Sequence, residues 1–252
     1  MKQFLINLGI VFTIVGCTLS PLPFENDAIS QNVNKTLVCA KQIDIYPLSI
    51  NGVKPPQESF DLYIKKLKKY TTDNIIVHKY INFKIDKNRV NNFVQSYGNG
   101  NKNVMGLSYN EIDKFLTFRK ETESKESAIV MIYTPELLCK FNKKRHLRGY
   151  AFPHSDKTNI VAYNATTIND APVISDTQAW KIVLTHEVGH RLGVPANKTH
   201  NKNGHCTHRE CIMYAKPDWQ AVVSVLFNGM PYDFCEKCKA ELEKAKSECS
   251  SI

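Results

Sequence analysis

The sequence predicts an α/β domain with a mixed, mostly parallel sheet, and three observations carry that expectation. Strand-like runs rich in β-branched residues recur along the chain, and helical segments alternate with them. A long helix with clear start and stop signals closes the series. Beyond it lies a short segment rich in His and Cys, which predicts a smaller C-terminal lobe stapled by something other than a core of its own.

Taken in order, residues 1–16 read as a secretory signal, with Lys2 in the charged region and Phe4 to Val15 as a short apolar stretch. That stretch is too short to be a good membrane span. Ile14-Val15-Gly16-Cys17 has the form of a bacterial lipobox, which makes Cys17 the expected lipidation site. The alternative is a plain signal peptide with an incidental cysteine. Residues 17–38 then form a polar tether and 39–252 the domain, anchored by lipid to the extracytoplasmic side of a bacterial cell envelope.

Strands are expected at Gln42 to Tyr46, Asn74 to Phe83, Ala128 to Tyr133 and Asn159 to Tyr163. Phe60, Tyr63, Ile64 and Leu67 mark one helical face. Ser108 with Glu111 caps a second helix carrying Ile112, Phe115 and Leu116. Ser175 with Gln178 is another capping box, and Ala179, Ile182, Val183 and His186 follow it at helical spacing. Gly193 ends that helix and Pro195 prevents its resumption. Two further helices are expected near Asp218 to Phe227 and Asp233 to Lys246, and there is no internal repeat.

The formal charge is +9, with Lys65, Lys66, Lys68 and Lys69 clustered in one segment and Lys143, Lys144, Arg145 and Arg148 in another. Such clusters are usually solvated faces. No nucleic-acid module accompanies them, so nucleic acid is not an expected partner. Oligomeric state is not legible.

The chemistry lies in His186-Glu187-Val188-Gly189-His190-Arg191-Leu192-Gly193, an HExxH followed by xxG. Histidines four apart on a helix stand on one face, where each can offer a ring nitrogen to the same metal. Glu187, one position on, sits beside the metal as general base rather than as ligand. Two imidazoles leave Zn²⁺ short of a third protein ligand, and the turn at Gly193 can return the chain to supply it.

Downstream run His205-Cys206-Thr207-His208-Arg209-Glu210-Cys211-Ile212-Met213 and Cys235-Glu236-Lys237-Cys238. The order HExxHxxG, His-Cys, Cys-x-Met and CxxC resembles the archaemetzincins, a metzincin-clan family of zinc peptidases. Weaker likeness extends upstream through Ile43-Asp44-Ile45-Tyr46-Pro47-Leu48 and Gly149-Tyr150-Ala151. The resemblance implies a metzincin-like two-lobed zincin with an active-site helix and a small zinc-stapled C-terminal lobe. It implies two zinc ions per chain. His186, His190 and His205 would hold the catalytic ion, and Cys206, Cys211, Cys235 and Cys238 a structural one. Met213 would form the Met-turn beneath the first. A peptide substrate would pair with an edge strand, at Asn159 to Tyr163 or a neighbour.

This chain departs from the family twice. The resembled family places its third histidine where Ala196 stands here, which implies an insertion within the loop Val194 to Gly204, and the stretch between Met213 and Cys235 is also longer. His200 and His208 therefore compete with His205, which is preferred for its Cys206 neighbour.

Other readings stay open. The four cysteines could form two disulfides in an exported protein, although close-spaced pairs suit tetrahedral zinc. Cys39, Cys139 and Cys249 remain, either with Cys39 and Cys139 bonded or as three buried thiols. The functional expectation is a zinc metallopeptidase. Its rivals are a surface-anchored lipoprotein that keeps this fold with weak or no catalysis, and a zinc-capturing loop over His200 to His208.

Overall fold

The structure is a computed structural model, and it describes residues 32–86, 109–135, 149–152, 158–169, 174–214 and 233–251. Cys17, Cys139, Ser108, the 143–148 basic cluster and the helix expected near 218–227 lie outside these residues.

Its strands are β1 (Ile43–Ile50), β2 (Ile75–Val77), β3 (Ile81–Phe83), β4 (Ala128–Thr134), β5 (Gly149–Phe152), β6 (Thr158–Asn164), β7 (Asn201–Lys202) and β8 (His205–Cys206). The helices are α1 (Lys35–Val38), α2 (Gln57–Tyr70), α3 (Tyr109–Glu123), α4 (Ala165–Asn169), α5 (Asp176–Leu192) and α6 (Glu236–Ser247), with a 3₁₀ turn at Glu248–Ser251. The main sheet runs β2-β1-β4-β6-β5, with β3 also on β1. All its pairings are parallel except β5 with β6. A mixed, mostly parallel sheet is the expected class.

Every residue of β1, β4 and β6 is buried, as parallel strands covered on both faces require. Ile43, Ile45, Met131, Tyr133, Val161 and Tyr163 face α2 and α5, meeting Phe60, Tyr63, Trp180, Leu184 and Val188. Tyr46, Leu48, Ile50, Val130, Ile132 and Ile160 face the other way, against Phe115 and Phe118 of α3.

The run expected as one strand from Asn74 to Phe83 is two. The Ile45 carbonyl accepts from the His78 N–H on this side of β1, so Pro47, two residues on, faces the same way. Having no N–H to donate, Pro47 interrupts the ladder there. The neighbour breaks between Val77 and Ile81 and resumes one residue out of step.

Helix α5 starts at a full capping box. Gln178 N–H donates to Ser175 Oγ and Ser175 N–H to Gln178 Oε1. It ends at Gly193, whose φ of 78° is left-handed. A Cβ there would lie 2.3 Å from the Asn32 carbonyl oxygen, because the chain entering the domain crosses this turn. Asn34 then caps the helix end, its backbone N–H donating to Leu192 O and its amide to Arg191 O.

Among the described residues, one disulfide joins Cys39 to Cys249 with Cα atoms 5.3 Å apart. The expected alternatives, Cys39 with Cys139 or three thiols, are corrected. Cys39 directly follows α1, which packs beside α6, and the turn after α6 brings Cys249 to it. That proximity depends on the whole fold and is invisible in local sequence.

Candidate metal centre

His186 and His190 stand one turn apart on α5, with Nε2 atoms 3.2 Å apart. The chain reverses at Gly193, forms a loop and returns through the β7–β8 hairpin, whose first residue on the return is His205. The three imidazole centroids are 4.9, 5.3 and 4.9 Å apart. Their ligating nitrogens lie within 4.8 Å of one another. A tetrahedral zinc with bonds of about 2.0–2.1 Å to nitrogen spaces its ligands about 3.3 Å apart, so the donor set fits the ion.

Tautomers are set by backbone carbonyls. His186 Nδ1 donates to Ile212 O at 2.7 Å and His205 Nδ1 to Asn203 O at 3.0 Å, leaving each Nε2 lone pair free for a metal. Burial lowers the basicity of all three rings. His190 is pushed further down by positive charge on His205 and His186, and burial takes His205 to about 3. Neutral imidazoles are the ligating form.

Glu187 is buried, and burial raises its carboxyl to about 8. It packs on the edge strand β5, where a Cβ on Gly149 would lie 2.4 Å from Glu187 Cγ and 2.6 Å from Oε1. Below the helix, a Cβ on Gly189 would lie 2.3 Å from Met213 Sδ, and Met213 is fully buried.

A second cluster adjoins the first. Cys206 and Cys235 sulfurs are 3.7 Å apart, as are those of Cys211 and Cys238. A disulfide needs about 2.05 Å, whereas a zinc tetrathiolate with bonds of about 2.3 Å spaces its sulfurs about 3.8 Å apart. The geometry is that of metal ligands. His208 N–H donates to Cys206 Sγ and Cys235 N–H to Cys211 Sγ, bonds that favour thiolate. Hydrogen bonds from Cys211 and then Cys238 bring Cys206 down to about 4, while hydrogen bonding to Cys206 and then Cys211 pushes Cys238 up.

The structure brings His205, and neither His200 nor His208, to the His186–His190 pair. His200 is buried beside Cys238, with the His208 ring 6.2 Å away. The expected docking strand β6 is paired on both sides, by β4 and β5. The neighbour β5 therefore forms this edge among the described residues.

Sequence reasoning missed three contributors. Asn203-Gly204 is a two-residue hairpin turn with φ of 55° and 78°, and its Asn-Gly pair was a readable type I′ signal. Gly149 and Gly189 had no such signal, because their role lies in side chains distant in sequence.

A family model described as "Reprolysin (M12B) family zinc metalloprotease" matches residues 99–249. No curated protein matches the chain by sequence. Among solved structures, an archaemetzincin from Methanopyrus kandleri is similar at TM-score 0.50 and 15% identity, covering 82% of this chain and 97% of that one. A zinc-dependent peptidase from Methanocorpusculum labreanum gives TM-score 0.45 and 16% identity, over 79% and 99%. The chain belongs to the reprolysin (M12B) family of zinc metalloproteases, and its fold is that of the archaemetzincins.

Proposed function

We propose that the chain hydrolyses peptide bonds at His186, His190 and His205, with Glu187 as general base. A second, structural zinc is assigned to Cys206, Cys211, Cys235 and Cys238. The observation that carries this reading is the convergence of three neutral imidazoles beside a buried carboxyl that rests on an edge strand. Zinc, when bound, supplies a Lewis acid that acidifies water and polarises the scissile carbonyl. An extended peptide pairs with β5 and lies across Glu187. Glu187 takes a proton from the attacking water and delivers it to the leaving amine. Glu187 would be drawn back toward the ionised form that this step needs by the charge of a dication held at His186, His190 and His205.

The folded domain is assigned from Asn32 onward rather than from residue 39, because Asn34 caps α5 and Leu37 and Val38 of α1 sit in the core. Residues 17–31 are left as the tether to an acylated Cys17 on the extracytoplasmic side of a bacterial envelope. The Cys39–Cys249 disulfide supports an oxidising compartment. Four cysteines stay unbonded in that same molecule, as they would when held by a metal.

Glu187→Gln tests the assignment. The variant is expected to keep its zinc and lose hydrolysis of a peptide library by at least a hundredfold, the lower range for losing a general base. Undiminished turnover would exclude Glu187 as the base. Full zinc without turnover in the wild type would favour the non-catalytic binding lipoprotein.

A further inference from the structure

Between Gly193 and His205 the exposed part of the loop is met by α6. Glu241, one turn beyond Cys238 on that helix, accepts hydrogen bonds from two consecutive backbone amides. Ala196 N–H reaches Oε2 at 2.9 Å and Asn197 N–H reaches Oε1 at 2.7 Å. His200, buried on the same loop, places Nε2 3.4 Å from Glu241 Oε1 and 3.7 Å from Cys238 Sγ. Asn197 in turn organises the loop, its side chain accepting from Thr199 N–H and its carbonyl from His200 and Asn201 N–H. Asn201 opens the hairpin whose far strand starts at His205.

We propose that Glu241 is a positioning residue for the histidine metal site. By clamping the loop at Ala196, Asn197 and His200, it fixes where the hairpin presents His205 to His186 and His190. The proposal rests on the histidine site assigned above. It gives a role to the loop that the sequence resemblance marks as carrying an insertion. A loop delivering a ligand loses freedom on ordering, and a carboxylate gripping two adjacent amides offsets part of that loss over the exposed stretch beyond Val194 and Pro195. Because Glu241 and Cys238 share one face of α6, the clamp also ties the histidine site to the helix that the cysteine cluster holds. His200, Cys238 and Glu241 stand close enough to bind an ion themselves. Both Glu241 oxygens are already engaged by amide donors, which favours a clamp over a third metal site.

Glu241→Gln is nearly isosteric and sets an NH₂ group against one of the two amide donors. The full chain, freed of metal and titrated with cobalt(II), distinguishes the sites. Thiolate-to-cobalt charge-transfer bands report the cysteine cluster, and d–d absorption without them reports the histidines. Relative to wild type, the variant is expected to bind cobalt at the histidines about 10–100-fold more weakly, the usual cost of removing a supporting partner. The thiolate bands should keep their intensity and midpoint, and peptide hydrolysis lost at limiting zinc should return in excess zinc. Equal weakening of both sites, or of neither, would overturn the proposal. So would a third cobalt equivalent that disappears in the variant. Wild type with thiolate bands but no histidine-bound cobalt would instead overturn the site assignment itself, and the proposal with it. Should Glu241→Ala fail to fold, the glutamine variant still decides.

Discussion

Gly189 of α5 leaves room for Met213: a Cβ at this position would approach Met213 Sδ to 2.3 Å and Phe234 Cε1 to 2.9 Å. The floor of the histidine site is therefore the methionine sulfur seated against bare helix backbone. Gly189→Ala must displace Met213 or lift α5, an overpacking expected to cost about 1–3 kcal/mol. Because Ile212, the neighbour of Met213, orients His186, the same variant should lose zinc affinity at the histidines. Chemical denaturation of the metal-free and zinc-loaded forms separates the two effects.

A glycine of the opposite kind is Gly149, whose missing Cβ makes room for Glu187 Cγ. Gly149→Ala pushes on Glu187, the proposed base, and not on a proposed ligand. It should lower kcat by tenfold or more, since small misplacements of reacting groups cost up to about a hundredfold. Zinc content should be unchanged, as read by elemental analysis beside steady-state kinetics.

Stability of the metal-free protein should depend on pH through the three histidines, Glu187 and Cys206. The three histidines have folded pKa values below the usual 6.5, with His205 near 3. Their contribution is present above 6.5 and lost as pH falls. Glu187 is raised from 4.5 to about 8, so its contribution is present below 4.5 and lost as pH rises toward 8. Cys206, held down to about 4 from its usual 9, adds a contribution that grows as pH rises through this range and opposes Glu187 above 6.5. Glu187→Gln should therefore make the slope between pH 6.5 and 8 more positive than in the wild type, and an unchanged slope in that variant would contradict the burial of Glu187.

The Cys39–Cys249 bond closes a sequence separation of 210 residues. In the chain-entropy model a loop of that size is worth roughly 5 kcal/mol, the top of the observed range. Cys39→Ser with Cys249→Ser should lower the denaturant midpoint strongly while leaving both metal sites loaded in the folded protein, which unfolding curves and zinc content would show.

How much of this was readable from sequence follows from range. Strands β1, β4 and β6 announced themselves because both faces are apolar, and α5 because Ser175, Gln178 and Gly193 act within a few residues of their targets. The break at Pro47 was equally local, yet its effect falls on the neighbouring strand and depends on which way Ile45 points. The Asn203-Gly204 turn could have replaced a featureless insertion with a hairpin. The Cys39–Cys249 pairing, the seat of Met213 on Gly189 and the Glu241 clamp could not have been read, since each joins segments that only the finished fold brings together.

The central claim is that adjacent residues His205 and Cys206 serve two different metal sites. Zinc per chain, measured by mass spectrometry on wild type, His205→Ala and Cys238→Ser, tests it most directly. The account predicts two ions in the wild type and the loss of one in each variant. Two ions retained in His205→Ala would contradict the three-histidine site, and a single ion unaffected by Cys238→Ser would contradict the tetrathiolate.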